Sequence, residues 1–233
     1  MLRNYIFSLF FFTGIIIISI IFLPSFILPK QVVLFGGKLM GHWAGFCLRF
    51  FLSIKIVIKG TENIIRDEKF FIAASHQSMF ETFYLQTIFN SPVFILKKEL
   101  LFIPIFGWYL KKIGSISIKR NKITKDNLDF FTNISKIISS SKRPLIIFPQ
   151  GTRVLPYERP PFKKGASRIY EKLNIACQPV AINSGNVWPK KGFKNSNKTI
   201  TISILKPIPA GLNKDEFLKI LENNIYTELN LLD

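Results

Sequence analysis

The stretch KFFIAASHQSMFETF, residues 69–83, changes character in its middle. Residues 70–74 are apolar on both alternating sets, which is how a strand covered on both faces reads. The polar turn Ser75-His76-Gln77-Ser78 interrupts the run, and a helix-like segment follows over about 79–89. A buried strand that runs through a short turn into a helix is the repeating unit of an α/β sheet, and the chain carries several more. SIKIVIKG (53–60) alternates, with Ile54, Ile56 and Ile58 on one face. Further strands are expected at 93–98, 115–120, 144–150, 177–184 and 198–208, and further helices at about 125–140 and 163–174. Near the C-terminus Asn213 stands where a helix cap is needed, with Glu216 three residues on. Phe217, Ile220, Leu221, Ile225 and Leu229 then trace one helical face. The fold class read from this pattern is α/β, with a mostly parallel or mixed sheet flanked by helices.

Upstream, the pattern is different. Between Arg3 and Lys30 lie 26 residues without a charge, NYIFSLFFFTGIIIISIIFLPSFILP. As one helix they would extend about 39 Å, against a hydrocarbon core of about 30 Å. This suffices to span a bilayer, or to enter it and bend at Pro24. The apolar run is too long for a cleaved signal peptide, and no small-residue cleavage site follows it. In the next segment, 31–53, Lys38, His42, Gly45 and Arg49 fall on one helical stripe, as in an interfacial helix with a basic face toward lipid headgroups. His42 is read as part of that stripe rather than of a catalytic site. The expected division is therefore a membrane anchor with an interfacial helix, 1–52, and one folded domain, 53–233.

Composition narrows the partners. Hydrophobic residues make up 48% of the 233, with 24 Phe, so the chain folds or inserts and is not disordered. The net charge of +18 calls for an anionic partner: a phospholipid surface, a phosphorylated substrate or a nucleic acid. No aromatic-basic RNA signature, GxSxG elbow, HExxH pair or phosphate-binding P-loop is present. Cys47 and Cys177 match no metal-ligand spacing, so a reducing compartment without a disulfide is expected.

Chemistry concentrates at strand ends, where α/β proteins keep it. His76 lies just beyond the 69–75 strand and Glu81 five residues later. With the histidine on the turn and the glutamate on the first helical turn, the carboxylate can accept from one ring nitrogen. The other nitrogen is then available to take a proton from a hydroxyl. A structural histidine satisfied by a local carboxylate would carry the same two residues. IIFPQGTRVLPYERPPFKKGASR (146–168) is a second strand running into a cationic turn. There Gly151 permits close approach, Thr152 donates, and Arg153 can grip a phosphate with two parallel hydrogen bonds. An ordinary loop with a surface arginine would look alike. Arg120, at the end of GSISIKR, offers another cation.

Taken in order, HQSMFE, GSISIKR, FPQGTR and QPVAINSG resemble the four motif blocks of the 1-acyl-sn-glycerol-3-phosphate acyltransferase (lysophosphatidic acid acyltransferase) family, over roughly residues 70–190. The resemblance makes 53–233 an acyltransferase domain. It implies that His76 is the general base and that Glu81 replaces the family's usual aspartate. It implies that Arg120 and Arg153, with Gly151 and Thr152, hold the glycerol phosphate. Gln150 replaces a glutamate and would hydrogen-bond the acceptor, and Pro179 would help shape an acyl pocket. No cofactor or metal is expected; the co-substrate would be an acyl-CoA or acyl carrier protein thioester. The expected partners are the bilayer and lysophosphatidic acid rather than nucleic acid, with the catalytic domain on the cytoplasmic face of the inner (plasma) membrane. Alternatives of the same chemistry are other acceptors: glycerol 3-phosphate, another lysophospholipid or an amine lipid. A non-enzymatic basic membrane protein is the alternative from another class.

Overall fold

The computed structural model describes residues 1–118, 130, 134–138 and 140–232. Seven strands form one sheet: β1 (Lys55–Lys59), β2 (Phe70–Ala74), β3 (Val93–Lys97), β4 (Ile116–Ile118), β5 (Leu145–Ile147), β6 (Ala176–Ile182) and β7 (Thr199–Ile204). Their order is β1-β7-β6-β2-β5-β3-β4. All neighbours are parallel except β6 and β7, so β1 and β7 run against the other five and the sheet is mixed. Each strand falls where apolar alternation or an apolar run put it. The α-helices are α1 (Leu2–Ile21), α2 (Lys30–Leu52), α3 (Phe80–Ile88), α4 (Phe106–Lys112), α5 (Gly165–Leu173) and α6 (Lys214–Leu232). Residues 134–138 are also helical, and the rest of the helix expected over 125–140 falls largely outside the described residues.

The central strands are buried on both faces, and their side chains separate two cores by parity. Ile72, Ala74, Ile146, Val180 and Ile182 face a core shared with α1, α2 and α3. Phe71, Ala73, Leu145, Ile147, Cys177 and Ala181 face a second one, closed by α5 and α6. The α6 cap forms as the sequence indicates: the Asn213 side-chain oxygen accepts from the Asp215 N–H at 2.9 Å. The strand expected at 93–98 ends at Lys97, and beyond it a 3₁₀ turn (Lys98–Phe102) and α4 form where the sequence pattern indicates no element.

At the N-terminus the long apolar segment is not one helix. It breaks at the 3₁₀ turn Leu23–Phe26, which holds Pro24, and α2 returns alongside α1. The Trp43 indole N–H donates to the Phe11 carbonyl across the hairpin at 3.2 Å. Helix α2 in turn approaches α3 closely: a Cβ at Gly41 would lie 2.5 Å from the Phe83 carbonyl oxygen. Helix α1 is tied to the body at its start. The Asn4 side-chain amide and the Lys194 backbone exchange two hydrogen bonds, at 2.9 and 2.7 Å, and Arg3 donates to the Phe51 carbonyl and the Ser53 hydroxyl. Phe7 and Phe11 are fully buried against Trp188, and two such rings contribute roughly 3–6 kcal/mol. A face of α1 that includes Leu9, Phe12, Ile16 and Ile20 is apolar and exposed.

The stripe expected on α2 differs from the observed face. His42 and Arg49 are exposed, but Gly45 is buried against the Tyr84 ring. Phe35, Leu39, Phe46 and Phe50 are exposed with them, so the outward face is aromatic as well as basic. Glycine fits a basic stripe by spacing alone, and its lack of a side chain is what lets α3 pack there.

Candidate active site

Strands β2, β5 and β3 are parallel, so their C-terminal ends share one edge of the sheet, and the turns leaving β2 and β5 meet there. Ser75 closes the end of β2: its hydroxyl donates to the Ile182 carbonyl (3.2 Å) and accepts from the Ile182 N–H (2.8 Å). His76 follows, half-buried, with its imidazole stacked on Phe148 at 4.1 Å between centroids. Its backbone is held on both sides by the second motif. The His76 N–H donates to Gln150 Oε1 at 2.7 Å, and the Val154 N–H donates to the His76 carbonyl at 2.9 Å. The histidine turn and the Phe-Pro-Gln-Gly-Thr-Arg turn are thus one hydrogen-bonded unit.

Glu81 lies in the first turn of α3 and is completely buried. Its carboxylate accepts the N–H groups of Gln77 (2.9 Å) and Ser78 (3.0 Å), and the Ser184 hydroxyl at 2.6 Å. The Ser78 hydroxyl accepts in return from the Phe80 N–H at 3.1 Å, so Ser78 and Glu81 tie together the turn that enters α3. The spacing was visible in the sequence as a serine three residues before a glutamate. Burial pushes the Glu81 carboxyl up to about 7, against the pull of its hydrogen bonds from Ser184, Gln77 and Ser78. The carboxylate therefore titrates near neutrality and fixes the backbone that immediately follows the imidazole.

Gly151 adopts φ +74°, a left-handed conformation that suits glycine, and its N–H closes the turn onto the Phe148 carbonyl at 2.9 Å. Thr152 is exposed and Arg153 half-exposed, one residue from the bond that ties this turn to His76. Lys190, which sequence reading did not single out, donates to the Arg153 carbonyl at 3.1 Å and brings another cation to the rim. Gln150 is buried rather than open to a ligand, with its oxygen committed to the His76 N–H and its amide nitrogen inside, beside the Tyr226 hydroxyl. Pro179 is buried within β6, opposite Ala73 of β2, and is part of the sheet rather than of the turn cluster. Arg120 lies outside the described residues. The structure thus brings His76, Glu81, Gln150, Gly151, Thr152 and Arg153 together at one sheet edge.

The loop bearing Arg153 is also fastened to α6. The Phe162 N–H donates to Glu222 at 2.6 Å, the Tyr226 hydroxyl donates to the Pro160 carbonyl, and Arg159 donates to Asn230 at 3.1 Å. Nothing in the local sequence of either segment announces these contacts.

This edge falls within the part of the chain matched by a protein-family model described as Acyltransferase, residues 55–183. The chain belongs to the Acyltransferase family. Relatives in the family include a 1-acyl-sn-glycerol-3-phosphate acyltransferase of Pseudomonas aeruginosa, 31% identical over 166 residues, covering 70% of this chain and 64% of that protein. Another, of Saccharomyces cerevisiae, bears the same description and is 30% identical over 181 residues, 75% of this chain and 59% of the yeast protein. The chain thus spans less than two thirds of the length of these relatives. The crystal structure of the 1-acyl-sn-glycerophosphate acyltransferase PlsC from Thermotoga maritima has the same fold, with a TM-score of 0.80 over 100% of this chain and 98% of that one, at 21% identity.

Proposed function

We propose that this protein transfers an acyl group from an acyl thioester to the free hydroxyl of a 1-acyl-glycerol 3-phosphate, yielding phosphatidic acid. The observation that carries the reading is the pair of backbone bonds joining His76 to the Gln150–Val154 turn, which sets an imidazole beside an arginine-bearing loop. Family membership and the names of the relatives support the same reaction. In it, His76 takes the proton from the acceptor hydroxyl while the oxygen attacks the thioester carbonyl. The tetrahedral adduct collapses by breaking the carbon–sulfur bond, and the departing thiolate takes a proton from the imidazolium. Glu81 in its ionised form orients the imidazole and stabilises its charge. Arg153, with Arg120, grips the phosphate and presents the hydroxyl to His76, so catalysis is positioning as much as proton transfer. No step requires a metal or a covalent acyl-enzyme. The donor is acyl-CoA or acyl carrier protein.

The exposed apolar face of α1 lies on the bilayer, and the catalytic domain, which carries 28 of the 32 basic residues, faces the cytoplasm. Replacing His76 by Ala tests the reaction with both donors. Turnover of lysophosphatidic acid is expected to fall at least about a hundredfold while membrane association persists. Undiminished turnover refutes the role of His76. A variant that loses lysophosphatidic acid turnover but keeps turnover of an amine lipid points to another acceptor.

A further inference from the structure

Among the described residues outside the N-terminal hairpin, the segment Lys98–Lys112 carries the most concentrated apolar surface. Phe102 is 74% exposed and Trp108 54%, with Leu100 and Ile103 exposed beside them. Several exposed residues of this size in one short segment mark a contact surface. The segment packs directly on the tip of the α1–α2 hairpin. Phe26 stacks on Tyr109 at 4.7 Å and meets Trp108 edge-on at 5.9 Å. The Tyr109 hydroxyl donates to the Ser19 carbonyl at 2.6 Å, and Lys112 donates to the Phe26 carbonyl at 2.6 Å. The exposed Ile27 and Leu28 of the hairpin tip therefore continue into Trp108 as one apolar surface. Exposed Lys97 and Lys111 flank the segment, with Glu99 the acidic residue among them. An apolar and aromatic centre with lysines at its margins suits a membrane interface, where rings enter the acyl layer and ammonium groups remain among the phosphates.

We infer that Lys98–Lys112 is a second membrane-inserting element, contributed by the catalytic domain itself, and that its partner is the acyl layer of a phospholipid leaflet. The inference rests on the bilayer placement of α1 proposed above. Its consequence comes from topology. Strand β3 ends at Lys97 on the same sheet edge at which β2 delivers His76. A leaflet that touches Phe102 and Trp108 therefore meets the protein at its catalytic edge, and a two-tailed product and one-tailed substrate exchange without leaving the lipid.

The two native cysteines are buried, so a thiol-reactive environment-sensitive fluorophore reports an introduced surface cysteine alone. Phe102→Cys and, on the exposed face of α1, Ile16→Cys are labelled in the full-length protein. Each is mixed with phosphatidylglycerol–phosphatidylcholine vesicles with or without doxyl groups on the acyl chains. Both probes are expected to shift to the blue and to be quenched by the doxyl lipids. Quenching at position 16 with a water-exposed probe at 102 overturns the inference and leaves the placement of α1 standing. A water-exposed probe at both positions overturns both. A probe at 102 that is already shielded without vesicles, in a concentration-dependent way, assigns the surface to a second copy and also overturns the inference. As a second measure, Phe102→Ser with Trp108→Ser is expected to lower vesicle partitioning about tenfold per ring removed. Turnover of a water-soluble short-chain acceptor is expected to stay unchanged; equal loss on soluble and vesicle-borne acceptors refutes a membrane role.

Discussion

Replacement of Ser184 by Ala isolates one hydrogen bond of the candidate site. The Ser184 hydroxyl donates to Glu81 Oε1 at 2.6 Å from the turn after β6, and both residues are completely buried. A hydrogen bond to a buried charged group is worth about 1.5–3 kcal/mol. Because this one favours the ionised carboxylate, its loss makes ionisation harder, by about one to two pH units at about 1.4 kcal/mol each. The carboxyl already stands at about 7, so in the variant it titrates one to two pH units higher. At pH 7 the fraction of enzyme with an ionised Glu81 falls roughly five- to fiftyfold, and kcat with it; near pH 9 most of the loss is recovered. KM for the acceptor is expected to change little, because Ser184 lies behind the carboxylate. Ser184→Thr, which keeps the hydroxyl, is expected to restore the wild-type profile. The assay is initial rate against pH at saturating donor, with an urea melt at each pH. An acid limb that stays in place while the rate drops equally at every pH would refute the link between Ser184 and the ionisation of Glu81.

Three further outcomes follow from the same geometry. The Glu81 carboxyl is raised from 4.5 to about 7 in the folded chain. Between those values the folded state holds a proton that the unfolded state has released, so stability is full below about 4.5 and declines as pH rises through about 7. The decline amounts to about 3 kcal/mol, and Glu81→Gln is expected to abolish it in urea melts at pH 5 and pH 8. Gln150→Ala removes the acceptor for the His76 N–H and is expected to lower kcat about tenfold, whereas Gln150→Glu keeps an acceptor oxygen and most of the rate; equal losses in both variants would instead indicate a direct substrate contact. Glu81→Asp shortens the side chain by one methylene, so it is expected to loosen the bonds to Ser78 and Ser184 and to lower the urea midpoint as well as kcat.

Much of this fold is legible along the chain because its strands are local facts. Ile54-Ile56-Ile58 and the apolar 70–74 run state their burial within a few residues, and all seven strands form where such patterns occur. The segment Leu101-Phe102-Ile103-Pro104-Ile105 has no period to read, and a proline interrupts it, so α4 and its surface were not foreseen. The site divides in the same way. His76, Glu81 and the Gly151–Arg153 turn announce themselves by residue type and spacing. Ser184 reaches Glu81 across 103 residues, and Glu222 and Tyr226 reach the arginine loop across 60 and 66, distances over which spacing carries no information. Gln150 shows the converse: its position in a motif suggested a substrate contact, and only the folded chain reveals that its oxygen is already engaged by the His76 backbone.

The glutamate at position 81 is the departure that most tests the catalytic reading, and the structure gives it a physical place. A carboxylate on α3 holds the turn that follows the imidazole, through the N–H groups of Gln77 and Ser78. The carboxylate reaches back from the first turn of α3 to these two N–H groups, four and three residues before it. Complete burial would leave such a group neutral, and the Ser184 hydroxyl, arriving from the far side of the sheet edge, opposes that by stabilising the charge. The bonds act together: the Gln77 and Ser78 N–H groups hold the buried carboxylate, and the Ser184 hydroxyl keeps it ionisable near neutral pH. A glutamate without Ser184 would keep its bonds to the Gln77 and Ser78 N–H groups yet hold its proton at neutral pH, the state that Ser184→Ala is expected to populate.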